Sequence, residues 1–422
     1  METNAKDCGS DLSNQLEATA LRRHDGRAVS ESPRARIVLI SYSYPPVLGG
    51  SEVEAQRVSS ELIQRGYNVE VWCGAEEPMP RKARWIDPCG VPVRILGLGW
   101  PARWRGYGFA LGVAWLLWRE RRHYQLVYFL MHGLQLALGL PVTRLLRKPV
   151  VMKFSGSGLI ELMRKSWLGR LELKWLRLCA KRVMILNEGM VTEALAAGLS
   201  REQLLWMPNP TDVDAFRPLE QDERTHLRKQ RALKGVTVIF VGRLAPEKEL
   251  PSLIRAFSRA LKVHPDAELV LVGDGPGHQE LLSLARQCGI EAKVRFTGRV
   301  PADDVCTWLQ ASDIFALVSN AEGFPCSLAE AMSVGLPSVV SDIPGNRQLI
   351  DCQIHGLLAP VQDEEALGVA LTQLIGDDLL RARMGREARQ RIVENYSTDQ
   401  VTRLYEQMFS DVLVGEGRGG PR

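Results

Sequence analysis

The sequence predicts an α/β protein built as two parallel-sheet lobes facing each other across a cleft. Three observations carry that prediction. From about residue 36 onward, short β-rich apolar runs alternate with amphipathic helical stretches, the order that builds parallel sheets. The alternation is interrupted once, at "MPNPTDVDAFRP" from residue 207, which is rich in Pro, Asn and Asp and has no period, as a linker would be. Finally, a chain of 422 residues is long enough for two domains that each bury a core.

The elements follow in order. Residues 1–34 are polar and aperiodic, and are expected to be a disordered lead without the apolar core of a signal peptide. "RIVLISY" (36–42) reads as a strand, "SYPPVLGG" as a turn, "SEVEAQRVSSELIQRG" as a helix and "NVEVWC" (68–73) as the next strand. "QLVYFL" (125–130), "PVVMKF" (149–154) and "RVMIL" (182–186) suit further buried strands. Beyond the linker the grammar restarts with "VTVIFVGRL" (236–244), "AELVLVGDGPG" (267–277), "KVRFTGRV" (293–300), "DIFALVS" (313–319) and "PSVVSD" (337–342), with helices between them. Ligands of open parallel sheets bind beyond the carboxyl ends of the strands, so the cleft between the lobes is the expected site.

Composition narrows the function classes. The eight cysteines form no CxxC pair and no regular rhythm, which predicts free buried thiols in a reducing, cytoplasmic setting and argues against a disulfide framework or zinc site. The longest apolar run, "GYGFALGVAWLL" (106–117), is too short for the ~20 residues of a spanning helix. Net charge is +4, but it is uneven: residues 80–205 hold 21 Lys or Arg against 7 Asp or Glu, and 7 of the 10 tryptophans. That window calls for an anionic partner. No nucleic-acid-binding motif accompanies it, so nucleic acid is not expected.

Two stretches carry candidate chemistry. "VGRLAPEKEL" puts Arg243 and Lys248 directly after a strand and before a helix, a plausible phosphate clamp; taken alone, it also reads as two solvated surface cations. "SNAEGFPCSLAEAM" (319–332) places Glu322 just before a helix expected to begin near Pro325, and Glu330 one to two turns inside it. Gly323 would let a ligand approach the backbone, and amides around Phe324, Cys326 and Ser327 would make an anion site on the helix dipole. Glutamate suits vicinal hydroxyls, because it accepts two at once and offers no competing donor. Alone, this too could be an acidic first turn favourable in any helix.

Together, "GRLAPEK", "GDGP", "TGRV", "EGFPCSLAEAM" and "GLPSVVSD", in that order at successive strand ends, resemble the C-terminal lobe of retaining GT-B glycosyltransferases of family 4, with its E-x7-E element at Glu322 and Glu330. "YPPVLGGSEVEAQRVSSELIQRGYNVEV" is similar to the same family's opening loop. The resemblance implies an N-terminal Rossmann-like acceptor-side domain at 35–206 and a nucleotide-sugar-binding domain at 207–390. A C-terminal helix at 391–412 would cross back to the first domain, followed by a disordered tail at 413–422. It implies that Arg243 and Lys248 hold the donor diphosphate, that the amides of 323 to 325 face the donor sugar together with Glu322, and that Glu330 binds the ribose. The backbone of Arg299 and Val300 would meet the base, and Gly49 and Gly50 would approach the phosphates from the first lobe. The catalytic set would be Arg243, Lys248 and Glu322, acting with retention on a UDP- or GDP-sugar and a glycan or lipid-linked acceptor. No cofactor and no metal are expected beyond the nucleotide sugar itself.

The sequence departs from the family pattern in two places. Many relatives carry a His where "VVMKFSGSG" has Ser155, and the nearby His132 follows the preceding strand; a role for either stays open. "PNPTD" has Pro210 in place of a family Gly. A sugar-nucleotide epimerase and a non-catalytic sugar-nucleotide binder remain alternatives on the same architecture.

Within the basic window, residues 158–182 show an apolar stripe at Ile160, Met163, Trp167, Leu171, Trp175 and Leu178, with Arg164, Lys165, Arg170, Lys174, Arg177 and Lys181 filling much of the remainder. The pattern fits a helix lying on an anionic leaflet at the cytoplasmic face of a membrane, and equally a core-packing helix with a solvated basic face.

Overall fold

The computed structural model describes residues 35–46, 49–76 and 82–417. The disordered lead expected at 1–34 lies outside the described residues, as do 418–422. The first lobe holds an eight-stranded sheet: β1 (Arg36–Ile40), β2 (Asn68–Gly74), β3 (Arg84–Ile86), β4 (Pro92–Leu96), β5 (Leu126–Phe129), β6 (Val150–Lys153), β7 (Ala180–Ile185) and β8 (Leu204–Trp206), in the order β3-β4-β2-β1-β5-β6-β7-β8. The pairings are parallel except β3 with β4. The second lobe holds six parallel strands: β9 (Thr237–Val241), β10 (Glu268–Val272), β11 (Val294–Gly298), β12 (Ile314–Leu317), β13 (Ser338–Ser341) and β14 (Gly356–Ala359), in the order β11-β10-β9-β12-β13-β14.

Strand period decides which core each residue enters. Val38 and Ile40 of β1 point to one side, where they join Phe109, Leu117, Leu136, Leu140, Leu173 and Leu176. Ile37 and Leu39 point to the other, where they join Val58, Leu62, Tyr405 and Phe409. One face of the sheet is thus covered by the helices Arg105–Arg119, Leu134–Leu145 and Trp167–Cys179 lying side by side. The other face carries the helix Gly50–Gln64 and the final helix, Thr398–Gly417, which pack on each other.

The crossing back begins later than the expected residue 391. The helix Asp378–Asn395 stays with the second lobe, and the chain turns at Tyr396, whose buried ring packs on Trp206 and Phe324 and whose hydroxyl donates to the Gln348 carbonyl at 2.6 Å. Here the two passages between lobes bond to each other: the Thr211 amide donates to Tyr396 O (2.8 Å) and the Thr398 amide to Thr211 O (3.0 Å). The final helix also outruns the expected end at 412, because Val412 is buried and Leu413 packs beside it.

Two other expectations are corrected. Cys89, in a turn, and Cys352, in an isolated bridge to Gly356, are exposed and not buried. The stretch 158–182 is two helices, Leu159–Lys165 and Trp167–Cys179, because Ser166 takes an extended backbone and its hydroxyl caps the second helix at Gly169 N (2.9 Å). The break re-aims the apolar stripe. Ile160 and Met163 are buried, but in the second helix Leu173 and Leu176 fill the core while Trp167, Leu171 and Leu178 face outward.

Candidate functional site

In each open sheet the strand order reverses next to its first strand, and crevices form there. In the second lobe the reversal lies between β9 and β12. The loop after β9 carries Arg243 and Lys248, and the loop after β12 carries Glu322, so the three converge at one switch point. Lys248 Nζ lies 2.5 Å from Glu322 Oε1, which also accepts from Ser319 Oγ at 2.6 Å. Arg243 is largely exposed and pairs with Glu247 at 2.5 Å. Beside this crevice the ends of β9 and β10 run close together: a Cβ on Gly273 would stand 2.0 Å from the Gly242 carbonyl oxygen, so position 273 takes only glycine.

The helix expected near Pro325 spans Cys326–Ser333, with Pro325 as its cap; its carbonyl accepts from Leu328 N and Ala329 N. The amides of Cys326 and Ser327 fall in the first turn, where no preceding helical carbonyl exists to receive them. One detail of the family-based expectation is corrected. Pro325 has no amide hydrogen, so among 323 to 325 only Gly323 and Phe324 can donate. Phe324 itself is buried against Tyr396.

Across the gap lies another helix start. Gly49 caps the helix Gly50–Gln64, and a Cβ on Gly50 would stand 3.6 Å from Cys326 Sγ. Two helix N-termini, one from each lobe, therefore lie next to each other, and each favours negative charge. Glu330, partly exposed in the second helix, has its carboxyl pushed up to about 7 by burial; Arg57, from the first lobe, opposes that shift and Asp212 adds to it. Arg299 and Val300 follow the left-handed Gly298 at the end of β11, with Arg299 exposed.

Two first-lobe candidates remain, Ser155 and His132. Ser155 follows β6 and opens an approximately 510 Å³ pocket lined by Gly156, Ser157, Leu159, Leu162 and Lys165. The backbone of Ser155 and Gly156 presses on Gly323, where an added Cβ would meet Gly156 Cα at 2.9 Å. His132 follows β5, half-buried, and burial pulls its pKa down. Among the described residues no group of three or more His, Cys, Asp or Glu is arranged to hold a metal ion.

Three features escaped sequence reasoning. Asn187, after β7, caps its own helix at Met190 N (3.1 Å), while its amide donates to Ser157 Oγ (3.0 Å), Glu322 O (3.2 Å) and Gly323 O (2.8 Å). With Ser157 Oγ donating to Glu322 O (2.9 Å), it fixes the acidic turn from the opposite lobe. The signal available was its place: a polar residue at a strand's carboxyl end. Arg57 lies on the opening helix, seven residues after Gly50. The third is a buried ion pair between Lys153 of β6 and Glu54, joined by Tyr405 OH (2.8 Å to Glu54 Oε1), Tyr128 OH and the Pro208 carbonyl.

Comparison with known proteins agrees with this arrangement. Residues 222–391 match the family model for glycosyl transferases group 1, and residues 49–210 match a glycosyl transferase 4-like domain. The chain belongs to the group 1 glycosyltransferases. Among the relatives of this glycosyltransferase chain, D-inositol 3-phosphate glycosyltransferase of Corynebacterium kroppenstedtii is 26% identical over 94% of this chain and 93% of its own length. UDP-Gal:alpha-D-GlcNAc-diphosphoundecaprenol alpha-1,3-galactosyltransferase of Escherichia coli is 29% identical over 58% of this chain and 65% of its own. Two relatives at 31% and 30% identity are spanned over only 20% and 51% of their lengths. Among solved structures, HepE of Anabaena in complex with UDP superposes with a TM-score of 0.76 at 20% identity, over 89% of this chain and 100% of its own. The fold is GT-B: two parallel-sheet domains facing across a cleft.

Proposed function

We propose that this group 1 glycosyltransferase moves a sugar from a nucleotide-sugar donor to a hydroxyl of a glycan acceptor, with retention at the anomeric carbon. The observation that carries the proposal is the meeting of two helix N-termini, at Gly50 and Cys326, beside Arg243 and Lys248. This is a site for a dianionic diphosphate. Arg243 and Lys248 shift from their carboxylate partners to the leaving phosphate, while Glu322, fixed by Asn187 and Ser157, meets the sugar beside Gly323. Glu330 accepts the ribose hydroxyls, and the backbone at Arg299 and Val300 meets the base. In the reaction the anomeric carbon–phosphate oxygen bond breaks and a bond to the acceptor oxygen forms on the same face. The acceptor proton passes to the departing phosphate. Catalysis is then mostly positioning and electrostatic stabilisation, and turnover is expected to persist in a chelator.

The pocket beside Ser155 is the acceptor side of this scheme. The E. coli relative, whose acceptor carries a diphosphoundecaprenol, supports a lipid-linked acceptor. The test is a screen of UDP- and GDP-sugars on purified protein, reading thermal shift and slow release of nucleoside diphosphate. One donor that both stabilises and hydrolyses supports the proposal. Stabilisation without release favours a non-catalytic binder, an epimeric donor product favours an epimerase, and no response to any donor overturns the nucleotide-sugar assignment.

A further inference from the structure

The three helices on the outer side of the first sheet present a surface that neither the fold nor the cleft explains. On the first of them, Trp104, Tyr107, Leu111, Trp115 and Trp118 recur every three or four residues and are 44 to 55% exposed, while Phe109, Val113, Leu116 and Leu117 fill the core behind them. Helices of globular proteins turn that kind of row inward; here the outward row is the aromatic one. The middle helix adds exposed Leu145. The third adds Trp167, 71% exposed, with Leu171 and Leu178, and Leu162 precedes it on the short helix. Singly such residues are ordinary, but a contiguous aromatic face marks a contact surface.

Its charge is one-sided. Arg103, Arg119, Arg122, Arg144, Arg147, Arg164, Lys165, Arg170, Lys174 and Arg177 are exposed along these segments. Arg119 stacks over Trp115 at 4.7 Å and Arg121 over Trp118 at 5.2 Å, holding cation and ring together. Few carboxylates offset them on the same segments: Glu120 is bonded to Arg94 (2.6 Å), Glu172 is buried, and the exposed Glu161 pairs with Lys165 (3.0 Å) and neutralises that one cation. A second copy docking face to face would set arginine against arginine. Water-facing Trp and Tyr interleaved with cations suit the headgroup layer of a bilayer, where the rings have one apolar and one wet side, and an anionic leaflet supplies the missing charge.

We propose that the outer face of this three-helix layer rests on an anionic membrane surface, with the Trp104–Trp118 row inserted at headgroup depth. Among the described residues no helix is long and apolar enough to cross a membrane, so the contact is peripheral. Leu162 and Lys165 belong both to this face and to the rim of the Ser155 pocket. If the Proposed function is right, which this last step rests on, an acceptor anchored in the leaflet brings its head group to the cleft from that rim.

The test uses the full chain with phosphatidylcholine vesicles, with and without phosphatidylglycerol, at low salt. Sedimentation with the anionic vesicles, a blue shift of tryptophan emission and release by high salt are expected. Trp115→Ser with Trp118→Ser should abolish sedimentation, and each of Arg119→Gln and Arg122→Gln should weaken it about fivefold. A wild-type chain that stays in solution with anionic vesicles overturns the proposal. So does a double tryptophan variant that binds like wild type, or a dimer without vesicles that the same variant dissolves, or competition by RNA that strips the protein from vesicles at equal charge. Donor-induced thermal stabilisation, read on the same samples, reports the cleft alone. Its absence would sink the nucleotide-sugar assignment and leave the vesicle result standing.

Discussion

Each lobe holds a lysine–glutamate pair close to the cleft, and the two pairs are built for opposite ends. In the first lobe, Lys153 is wholly buried, and its pair with Glu54 is closed off by Tyr405, Tyr128 and the Pro208 carbonyl. Burial pulls the Lys153 ammonium down while Glu54 holds it up. In the second lobe, Lys248 and Glu322 remain partly open to the cleft, and Glu322 has further partners in Ser319, Ser157 and Asn187. A pair sealed from water ties segments together; a pair at the rim of a crevice can exchange partners when an anion arrives. The same two residue types therefore serve architecture in one lobe and, under the proposed function, chemistry in the other.

Substitution separates them. The largest effect is expected at Lys153: Lys153→Ala leaves Glu54 buried without its cation, and chemical denaturation should show a loss of about 3–5 kcal/mol. Pairing Lys153→Met with Glu54→Leu should recover most of that loss, because a buried ion pair replaced by apolar groups of similar volume is near neutral. A double variant as unstable as the single one would mean that the pair itself, not the orphaned charge, carries the stability.

Lys248→Ala should do the reverse. The melting temperature should stay close to wild type, while donor hydrolysis falls about 10²–10³-fold, as for other groups that meet developing charge. Unchanged hydrolysis would remove Lys248 from the proposed chemistry. Glu330→Ala should weaken donor binding in calorimetry by about 10–100-fold, the range for hydrogen bonds to a charged group.

The smallest effect is the pH dependence at the same residue. With its carboxyl pushed up to about 7, Glu330 accepts hydroxyls fully only above that pH. Donor affinity should fall as pH drops below about 7, levelling off within the loss expected for Glu330→Ala, and Glu330→Gln should flatten the profile. Stability moves the other way. Because the folded state holds this proton more tightly than the unfolded chain, Glu330's contribution is complete below the unfolded carboxyl pKa and is lost as pH rises through about 7.

Much of this architecture could be read from local pattern. The apolar runs quoted between 36 and 186 correspond to β1, β2, β5, β6 and β7, and those between 236 and 342 to β9 through β13. Of the strands that escaped, β3 and β8 have only three residues, β14 follows the last quoted run, and β4 hides a buried arginine: Arg94 is satisfied by Glu70 and Glu120 from other elements. The loops with Arg243, Lys248, Glu322 and Glu330 stand at strand ends and so announced themselves by position. Asn187 stands at a strand end too, but its partners Ser157, Glu322 and Gly323 could not be read from its place; Arg57 and the Lys153–Glu54 pair carried no local signal, the last two lying 99 residues apart. The aromatic row at 104–118 was legible in its spacing, but which side of the helix faced the sheet was not, because both sides are apolar.

The return of the final helix has a consequence for how the molecule comes into being. The second lobe lies between the two crossings and is complete once residue 395 has been made. The first lobe, begun earlier, lacks Tyr405, Phe409 and Val412 from its core until the following helix emerges. At about 5–20 residues per second of synthesis, the older half of the protein waits roughly ten to forty seconds with one side open, while the younger half closes. A released chain that ends before residue 398 is accordingly expected to give protease-resistant fragments from the second lobe alone.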